Sequence, residues 1–487
     1  MKLSRAFVCR KSFIGTLFLV FLFQNTFAQL PIDENGWTII NPSADSKIVY
    51  VSSSAGSDAN NGTSAEAPVA TIEKAITLVR DGYPDHILLK RGDTWIAQEG
   101  LGSFYSGRSA SEPMVVGYYG KQGDRPLIKI EKTFFHAIDI ERSHIAIIGI
   151  ELYAYKHDPN SPEYESERGV CAIEILSAKG KNILIEDCKF NYLQLAAFTT
   201  KRREIGMLEN IRLRRNITVQ SWAGDSYRMH ERRTRIQGLF VAGVSGILIE
   251  ENLFDHNGWN QQVEGAGACM YNHNIYMAAD NPNPEKIIIR NNTFARGAAH
   301  GLQVRSGGYV ENNLFVGNAI NLNVGYHKDP PMKGAFSEVR NNVFQEVRLM
   351  DSLNTDYPRT ASIRGIGEIT IPAIIENNIF SNCINEAQFA IDDYDDKWGF
   401  GGEVILKDNV AYKWTNKNDK PNPVWPDPER TIGDYHATIG GEASSTAFLL
   451  EARKRPLKTW WPAYAAPAVN DFFRAGFNLP AAKKESF

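Results

Sequence analysis

Two histidines of this chain, His273 and His300, stand just before or at the start of segments with a matching pattern, NIYMA and GLQVR. When these segments are aligned, Tyr276 stands opposite Gln303 on the outward side, and Arg305 occupies the next outward column. A neutral imidazole accepts a proton near neutral pH, a phenol hydroxyl donates one, and a guanidinium neutralises a carboxylate. The spacing therefore predicts a site for proton transfer beside a carboxylate.

β-Elimination from a uronic acid is one reaction that uses all of these groups. Arg305 or Arg296 would neutralise the sugar carboxylate, which makes the C5 proton more acidic. His273 or His300 would remove that proton, and Tyr276 would protonate the leaving oxygen. We therefore predict that Arg305, His300, His273 and Tyr276 form the catalytic centre.

Further polar side chains in the same stretch are predicted to contact the substrate. They are Gln303, Asn323, Arg296, His256, Trp259, His327 and Lys328. A single histidine ahead of a strand often only caps a turn, and His327 and Lys328 equally suit a solvated loop. The basic run RMHERRTR, 228–235, either attracts an anionic chain or is itself a solvated loop.

Two other functions remain open on the sequence. A glycoside hydrolase needs two carboxylates on either side of the scissile bond, and the nearest candidates are Asp255, Glu264 and Asp280. The repeats do not place two of these in one column. A non-catalytic protein that binds glycans or forms a surface scaffold is the third possibility, and in it the histidines would only cap turns.

A repeated pattern indicates which elements position these residues. An alternating apolar strand is followed by two polar residues and an apolar pair, as in ILIEENLF, IIIRNNTF, GYVENNLF, SEVRNNVF and AIIENNIF. The second polar residue forms a column of Asn216, Asn252, Asn292, Asn313, Asn342, Asn378 and Asn409, with Cys188 in the first copy. Asn292 and Asn313 are separated by 21 residues, about one coil of a solenoid.

Each coil should also contain a second strand. Period two predicts inward side chains in pairs: Leu239 and Val241, Ile275 and Met277, Leu302 and Val304, Leu322 and Val324. Stacked coils lie about 4.8 Å apart, so side chains in one outward column can act on the same bound sugar.

The opening of the chain resembles the N-terminal cap of secreted parallel β-helix proteins of the pectate-lyase-like superfamily. The matching features are YVS, GSD, NNGT and AP-x-x-T-I-x-x-A-I, followed by LLKRGDTW. With the asparagine repeats, the resemblance covers roughly residues 48–412. It implies an all-β fold, a single right-handed parallel β-helix with an N-terminal helical cap and an irregular C-terminal cap.

A narrower resemblance is to the alginate and chondroitin-B lyases with this fold. FARGAAHGLQVRSGG, from Phe294, looks like the coil that carries their strand-ending arginine, which corresponds to Arg305. The partner base in that family is a lysine one coil earlier, beside acidic calcium ligands. The preceding coil here reads NHNIYMAADNPNPEK, without a lysine or glutamate at the matching place. Only Arg305 is carried over, and a histidine takes the place of the base.

Patterns at both ends predict the domain boundaries. Basic residues followed by FIGTLFLVFLF and Thr26, Phe27 and Ala28 predict a signal peptide over 1–28, hence a secreted or periplasmic protein that begins near Gln29. A leader and N-terminal cap then cover 29–85, the parallel β-helix 86–412, and the C-terminal cap segment 413–487.

Composition limits the partners. A net charge of −3 favours neither nucleic acid nor a strongly charged surface as partner, and no later segment is apolar enough to cross a membrane. Four cysteines without a CxxC pair form neither a disulfide framework nor a zinc motif. We expect a monomer that binds a polysaccharide and needs no cofactor. Calcium is possible at the acidic run Asp392, Asp393, Asp395 and Asp396.

Overall fold

The computed structural model describes most of the chain beyond the N-terminus. The described residues are 30–97, 99–138, 140–165, 170–176, 179–199, 207–223, 236–325, 334–347, 364–383, 389–393, 403–414 and 430–482. The predicted signal peptide, the basic run 228–235, His327, Lys328, Asp395 and Asp396 lie outside them.

Among these residues the chain winds through three parallel sheets, and a complete coil contributes one strand to each. Sheet 1 contains β1 (Ile48–Val51), β2 (His86–Lys90), β4 (Met114–Tyr119), β7 (Ile145–Ile148), β10 (Gly180–Glu186), β13 (Leu208–Arg214), β16 (Val244–Glu250), β19 (Ile287–Arg290), β22 (Gly307–Glu311), β25 (Phe336–Arg340), β28 (Ala373–Glu376) and β31 (Val404–Lys407).

From β7 onward, sheet 2 follows sheet 1 after a tight turn of two residues in each coil. It contains β3 (Thr94–Ala97), β5 (Leu127–Ile130), β8 (Glu151–Tyr153), β11 (Lys189–Asn191), β14 (Ile217–Val219), β17 (Leu253–Asp255), β20 (Thr293–Ala295), β23 (Leu314–Val316), β26 (Val343–Gln345), β29 (Ile379–Ser381) and β32 (Val410–Tyr412).

Sheet 3 completes the coil and leads back to sheet 1. It contains β6 (Phe135–Ile138), β9 (Cys171–Leu176), β12 (Gln194–Thr199), β15 (Gln237–Ala242), β18 (His273–Met277), β21 (His300–Val304), β24 (Ile320–Val324), β27 (Arg364–Ile369) and β30 (Ile391–Asp393). The chain is therefore a parallel β-helix, and the predicted fold class is confirmed.

The asparagine column forms a continuous hydrogen-bonded ladder at the turn between sheets 1 and 2. The Asn292 backbone N–H donates to Asn313 Oδ1 at 2.9 Å, and Asn292 Nδ2 donates to the Ile249 carbonyl at 2.9 Å. The same backbone-to-amide bond runs from Cys188 to Asn409. Residues directly before the ladder, such as Asn291 at φ 58°, are left-handed, which lets the chain turn within two residues.

Stacked apolar rows fill the inside of the coils. The eight inward side chains predicted from the repeats are confirmed, each with no exposed surface. Phe254, Phe294, Phe315, Phe344 and Phe380 form a further row, with ring centroids of successive members 4.6–5.7 Å apart. Each coil buries its face only against its neighbours, so the core extends along the axis.

A short helix, α1 (Ile72–Ile76), packs at the N-terminal end of the coils. The Thr71 hydroxyl accepts a hydrogen bond from the Lys74 backbone N–H and caps the helix. Ile72 and Ala75 of this helix are buried against the first strands. The helix thereby covers the open end of the solenoid.

The described part of the C-terminal segment is helical rather than irregular, and it packs on the side of the solenoid. It contains α2 (Ile432–Thr438), α3 (Ser445–Ala452) and α4 (Ala466–Gly476). Their apolar residues, among them Phe448 and Phe473, pack against outward side chains of sheet 2 such as Leu314 and Val343. The face of the solenoid that these helices cover follows from the outward apolar residues of sheet 2.

Within the described part of the chain, no helix is long and apolar enough to cross a membrane. Cys188 is a free and buried thiol. Burial raises the pKa of Cys188 to about 12, so this thiol is an apolar core residue.

Candidate active site

The outward face of sheet 3 brings together the residues that the sequence selected for chemistry. In the register of β18 and β21, His273 stands beside His300 and Tyr276 beside Gln303. Asn323 of β24 continues the second row. The Arg305 backbone N–H donates to the Met277 carbonyl at 3.0 Å, so Arg305 directly follows the paired strands. The predicted columns are therefore real neighbours.

His273 and His300 are hydrogen-bonded to each other. Their Nδ1 atoms lie 2.9 Å apart, and the rings are 4.5 Å apart at 72°. A neutral imidazole has a single N–H, so one Nδ1 donates and the other accepts. The donor ring then has an unprotonated Nε2, while its partner has an Nε2–H. The neutral pair thus contains one basic and one proton-donating nitrogen.

Tyr276 lies at the centre of the cluster. Its ring stacks on Phe240 at 5.4 Å and 14°, and on His273 at 5.6 Å and 11°. The guanidinium carbon of Arg305 lies 4.7 Å from the centroid of the same ring, in a cation–π contact. Two of the predicted catalytic groups, His273 and Arg305, therefore contact the ring of a third, close enough to act on the same sugar.

Exposure divides the four groups into two kinds. Tyr276 and Arg305 are partly exposed, whereas His273 and His300 retain only 2% and 4% of their surface. A proton acceptor needs one ring nitrogen at the surface. Because so little of the two rings is exposed, a substrate could reach only an edge of the imidazole pair. Tyr276 and Arg305 form the larger part of any contact surface.

A second group of buried amides, which sequence reasoning missed, holds the start of these strands. Asn257 Nδ2 donates to Asn274 Oδ1 at 2.9 Å, and Asn274 Nδ2 donates to the Ala295 carbonyl at 3.0 Å. Asn318 Oδ1 accepts from the Gly297 backbone N–H at 2.8 Å. Because Asn274 directly follows His273, this network fixes the backbone from which the imidazole projects. Asn257 and Asn318 each stand a few residues after a sheet 2 strand, and this shared position is the sequence signal that could have identified the network.

Arg296 has a different role from the predicted one. Its Nε and Nη2 atoms contact the two carboxylate oxygens of Asp255 at 2.8 and 2.6 Å. Arg453 of the C-terminal segment reaches the same carboxylate at 2.7 Å. Asp255 is fully buried, and the two guanidinium groups hold its pKa well below the ordinary value against the opposing effect of burial. Arg296 therefore balances a buried charge instead of binding substrate.

His256 and Trp259, also predicted to bind substrate, form a separate packed unit. Their rings stack at 4.3 Å, and the Trp259 indole N–H donates to the Arg296 carbonyl at 2.8 Å. His256 Nε2 bonds with Gln261 Oε1 at 2.9 Å, and burial lowers the pKa of His256 to about 4. Both side chains are buried, so the structure assigns them to packing beside the site.

Two predicted amide contacts are also buried. Gln303 is 4% exposed and Asn323 has no exposed surface, although both stand in the outward row with Tyr276. Asn323 therefore cannot touch a polymer in this conformation. Gln237, which the sequence did not single out, stands beside His273 in the register of β15 and β18. Its Nε2 donates to the Tyr271 carbonyl at 2.7 Å.

The carboxylates considered for hydrolysis lie in different surroundings. Asp255 is bound to two arginines, and Glu264 is exposed in the loop before β18. Asp392, from the acidic run considered for calcium, forms an ion pair with Arg364 at 2.5 Å. Among the described residues, no group of three or more histidine, cysteine or acidic side chains is placed to hold a metal ion.

Comparison with known proteins gives similarities to solved structures only. No family model matches the chain, and no curated protein matches it. A rhamnogalacturonan lyase is similar over 79% of this chain and 91% of its own, at 12% identity and a TM-score of 0.40. The pectate lyase Pel9A is similar over 83% of this chain and 87% of its own, at 12% identity and a TM-score of 0.36. An alginate lyase from Paenibacillus is similar over 71% of this chain and 93% of its own, at 12% identity and a TM-score of 0.35. We infer nothing about the reaction from these similarities.

Proposed function

We propose that this protein is a polysaccharide lyase that cleaves a uronate-containing chain by β-elimination. The observation that carries the proposal is the contact between the His273 and His300 Nδ1 atoms, next to the stacked Tyr276 and Arg305. This face combines a proton acceptor, a proton donor and a fixed positive charge. β-Elimination from a uronate requires these three functions.

Arg305 is assigned to the substrate carboxylate. A guanidinium presents paired N–H donors in a plane and matches a carboxylate better than an ammonium group does. Charge neutralisation at the carboxylate stabilises the negative charge that develops when the C5 proton leaves. Arg305 lies over the Tyr276 ring, which supports a position for that carboxylate next to the phenol.

The histidine pair is assigned to proton removal, and Tyr276 to the leaving group. The unprotonated Nε2 of the pair takes the C5 proton as the electron pair forms the C4–C5 double bond. The C4–O bond breaks, and the Tyr276 hydroxyl gives its proton to the departing oxygen. Proton transfer from the protonated pair to Tyr276, directly or through solvent, restores the starting state.

Digestion of a panel of uronate-containing and neutral polysaccharides tests the reaction class. We expect new reducing ends together with the ultraviolet absorbance of an unsaturated uronate. Reducing ends without that absorbance would contradict the proposal and favour hydrolysis. A folded protein that binds these polymers and cleaves none would instead be a glycan-binding protein.

A further inference from the structure

A second cleft lies on another sheet, outside the cluster of His273 and His300. It has a volume of about 380 Å³ and opens on the outer face of sheet 2, where β5, β8 and β11 precede the part covered by the C-terminal helices. Pockets of this size accommodate small ligands. The reaction proposed above uses none of its residues.

Tyrosine rings form one side of this cleft. Tyr153 and Tyr192 line it, with centroids 6.3 Å apart at 50°. The Tyr153 hydroxyl donates to Asp158 Oδ2 at 2.7 Å. Burial, followed by the nearby Asp158 charge, raises the pKa of Tyr192 to about 12, so its hydroxyl stays protonated. Both rings are partly exposed, and each offers an apolar surface with a polar end.

Charged and amide groups form the other side. The Lys189 ammonium lies 3.3 Å from Glu151 Oε1, and Asn191 Nδ2 donates to the same oxygen at 2.5 Å. Arg453 closes the end next to the C-terminal segment, where it is already paired with Asp255 at 2.6 Å. Each positive group in the lining thus has an acidic partner, so the cleft does not select a strongly charged ligand.

We propose that this cleft binds a neutral sugar residue. The C–H face of a pyranose packs on tyrosine rings, while its hydroxyl groups exchange hydrogen bonds with carboxylate, amide and ammonium groups. The balanced charge argues against a uronate or phosphate at this position. The residue belongs either to a neutral part of the substrate chain or to a separate glycan, and both present the same chemistry.

Binding of neutral oligosaccharides to the full-length chain tests this assignment without any turnover. Isothermal titration with gluco-, xylo-, manno- and galacto-oligosaccharides supplies the free glycan, and a uronate polymer with neutral branches supplies the other source. We expect saturable binding of at least one ligand. Tyr192→Ala should weaken it on the order of tenfold, because the stacking surface is lost.

Two further variants separate binding from folding. Glu151→Gln keeps the shape of the cleft but weakens its main acceptor, and it should also reduce affinity severalfold. Tyr83→Ala removes a tyrosine that is 39% exposed and distant in sequence, and it should change nothing. The proposal would be overturned if the folded wild type bound none of the ligands. It would also be overturned if Tyr192→Ala and Glu151→Gln bound them with the same affinity as the wild type.

The outcome of these binding measurements does not depend on the proposed lyase reaction. A variant such as Arg305→Lys should retain binding of neutral oligosaccharides even if it loses all cleavage. Tyr192→Ala should in turn cleave a short uronate oligosaccharide at the wild-type rate, if the wild type cleaves it.

Discussion

The Nδ1 atoms of His273 and His300 lie 2.9 Å apart, so one imidazole donates a hydrogen bond to the other. When both rings are doubly protonated, both Nδ1 atoms are donors and the bond cannot form. The pair can therefore act as a base only while it is neutral, and acid should abolish its function.

His300→Gln and His273→Gln test this relationship. Each variant should lower kcat on the order of 100-fold or more, because the remaining imidazole loses the partner that fixes its tautomer. The acidic limb of the kcat/KM profile should also disappear or shift. A parallel loss of rate with an unchanged pH profile would show that the pair has only a structural role.

Arg305→Lys tests the carboxylate contact. The lysine keeps the charge but loses the planar pair of donors, so we expect on the order of 100-fold lower kcat/KM on uronate substrates. Arg108→Lys, at a surface ion pair with Asp45, is the matched control and should leave the kinetics unchanged. Full activity of the Arg305 variant would exclude this residue from the site.

Tyr276→Phe removes the hydroxyl but keeps the stack on Phe240 and His273. We expect kcat to fall strongly on a substrate with a poor leaving group and much less on one with an activated aryl leaving group, which needs no proton. Equal losses on both substrates would contradict the assignment of Tyr276 as the acid. Thermal unfolding should show little change, because the ring contacts remain.

Asn292→Ala tests the asparagine ladder. It removes an acceptor for the Asn252 backbone N–H and a donor to the Ile249 carbonyl, both buried. We expect the free energy of unfolding to fall by about 3 kcal/mol, as measured by denaturant titration. Asn61→Ala, at an exposed turn, should have little effect.

Two buried histidines predict a pH dependence of stability. Burial lowers the pKa of His86 and of His256 to about 4, from an ordinary value of 6.5. Between these values the unfolded chain binds protons that the folded chain excludes, so stability is full above pH 6.5 and falls as the pH decreases towards 4. Each residue contributes up to about 3 kcal/mol. His86→Gln and His256→Gln should flatten this part of the curve, and unchanged slopes would contradict the assignment.

The sequence alone determined the parallel β-helix, the asparagine ladder and the inward rows. These features repeat in every coil, and a position such as Asn292 has the same neighbours one coil above and below. Repetition then reveals the contact, because the same local pattern in successive coils fixes the stacking. The column of Tyr276 and Gln303 was predictable for the same reason.

Only the tertiary structure decided which polar side chains were already engaged. Arg296 is of a residue type that suits a substrate carboxylate, but it is already bound to the Asp255 carboxylate. Arg453, 198 residues from that aspartate, binds the same carboxylate. Asn323 stands in the outward row and is nevertheless buried. Such outcomes depend on segments distant in sequence that pack over the coils. Periodicity therefore predicts the coil, whereas exposure and charge pairing require the packed molecule.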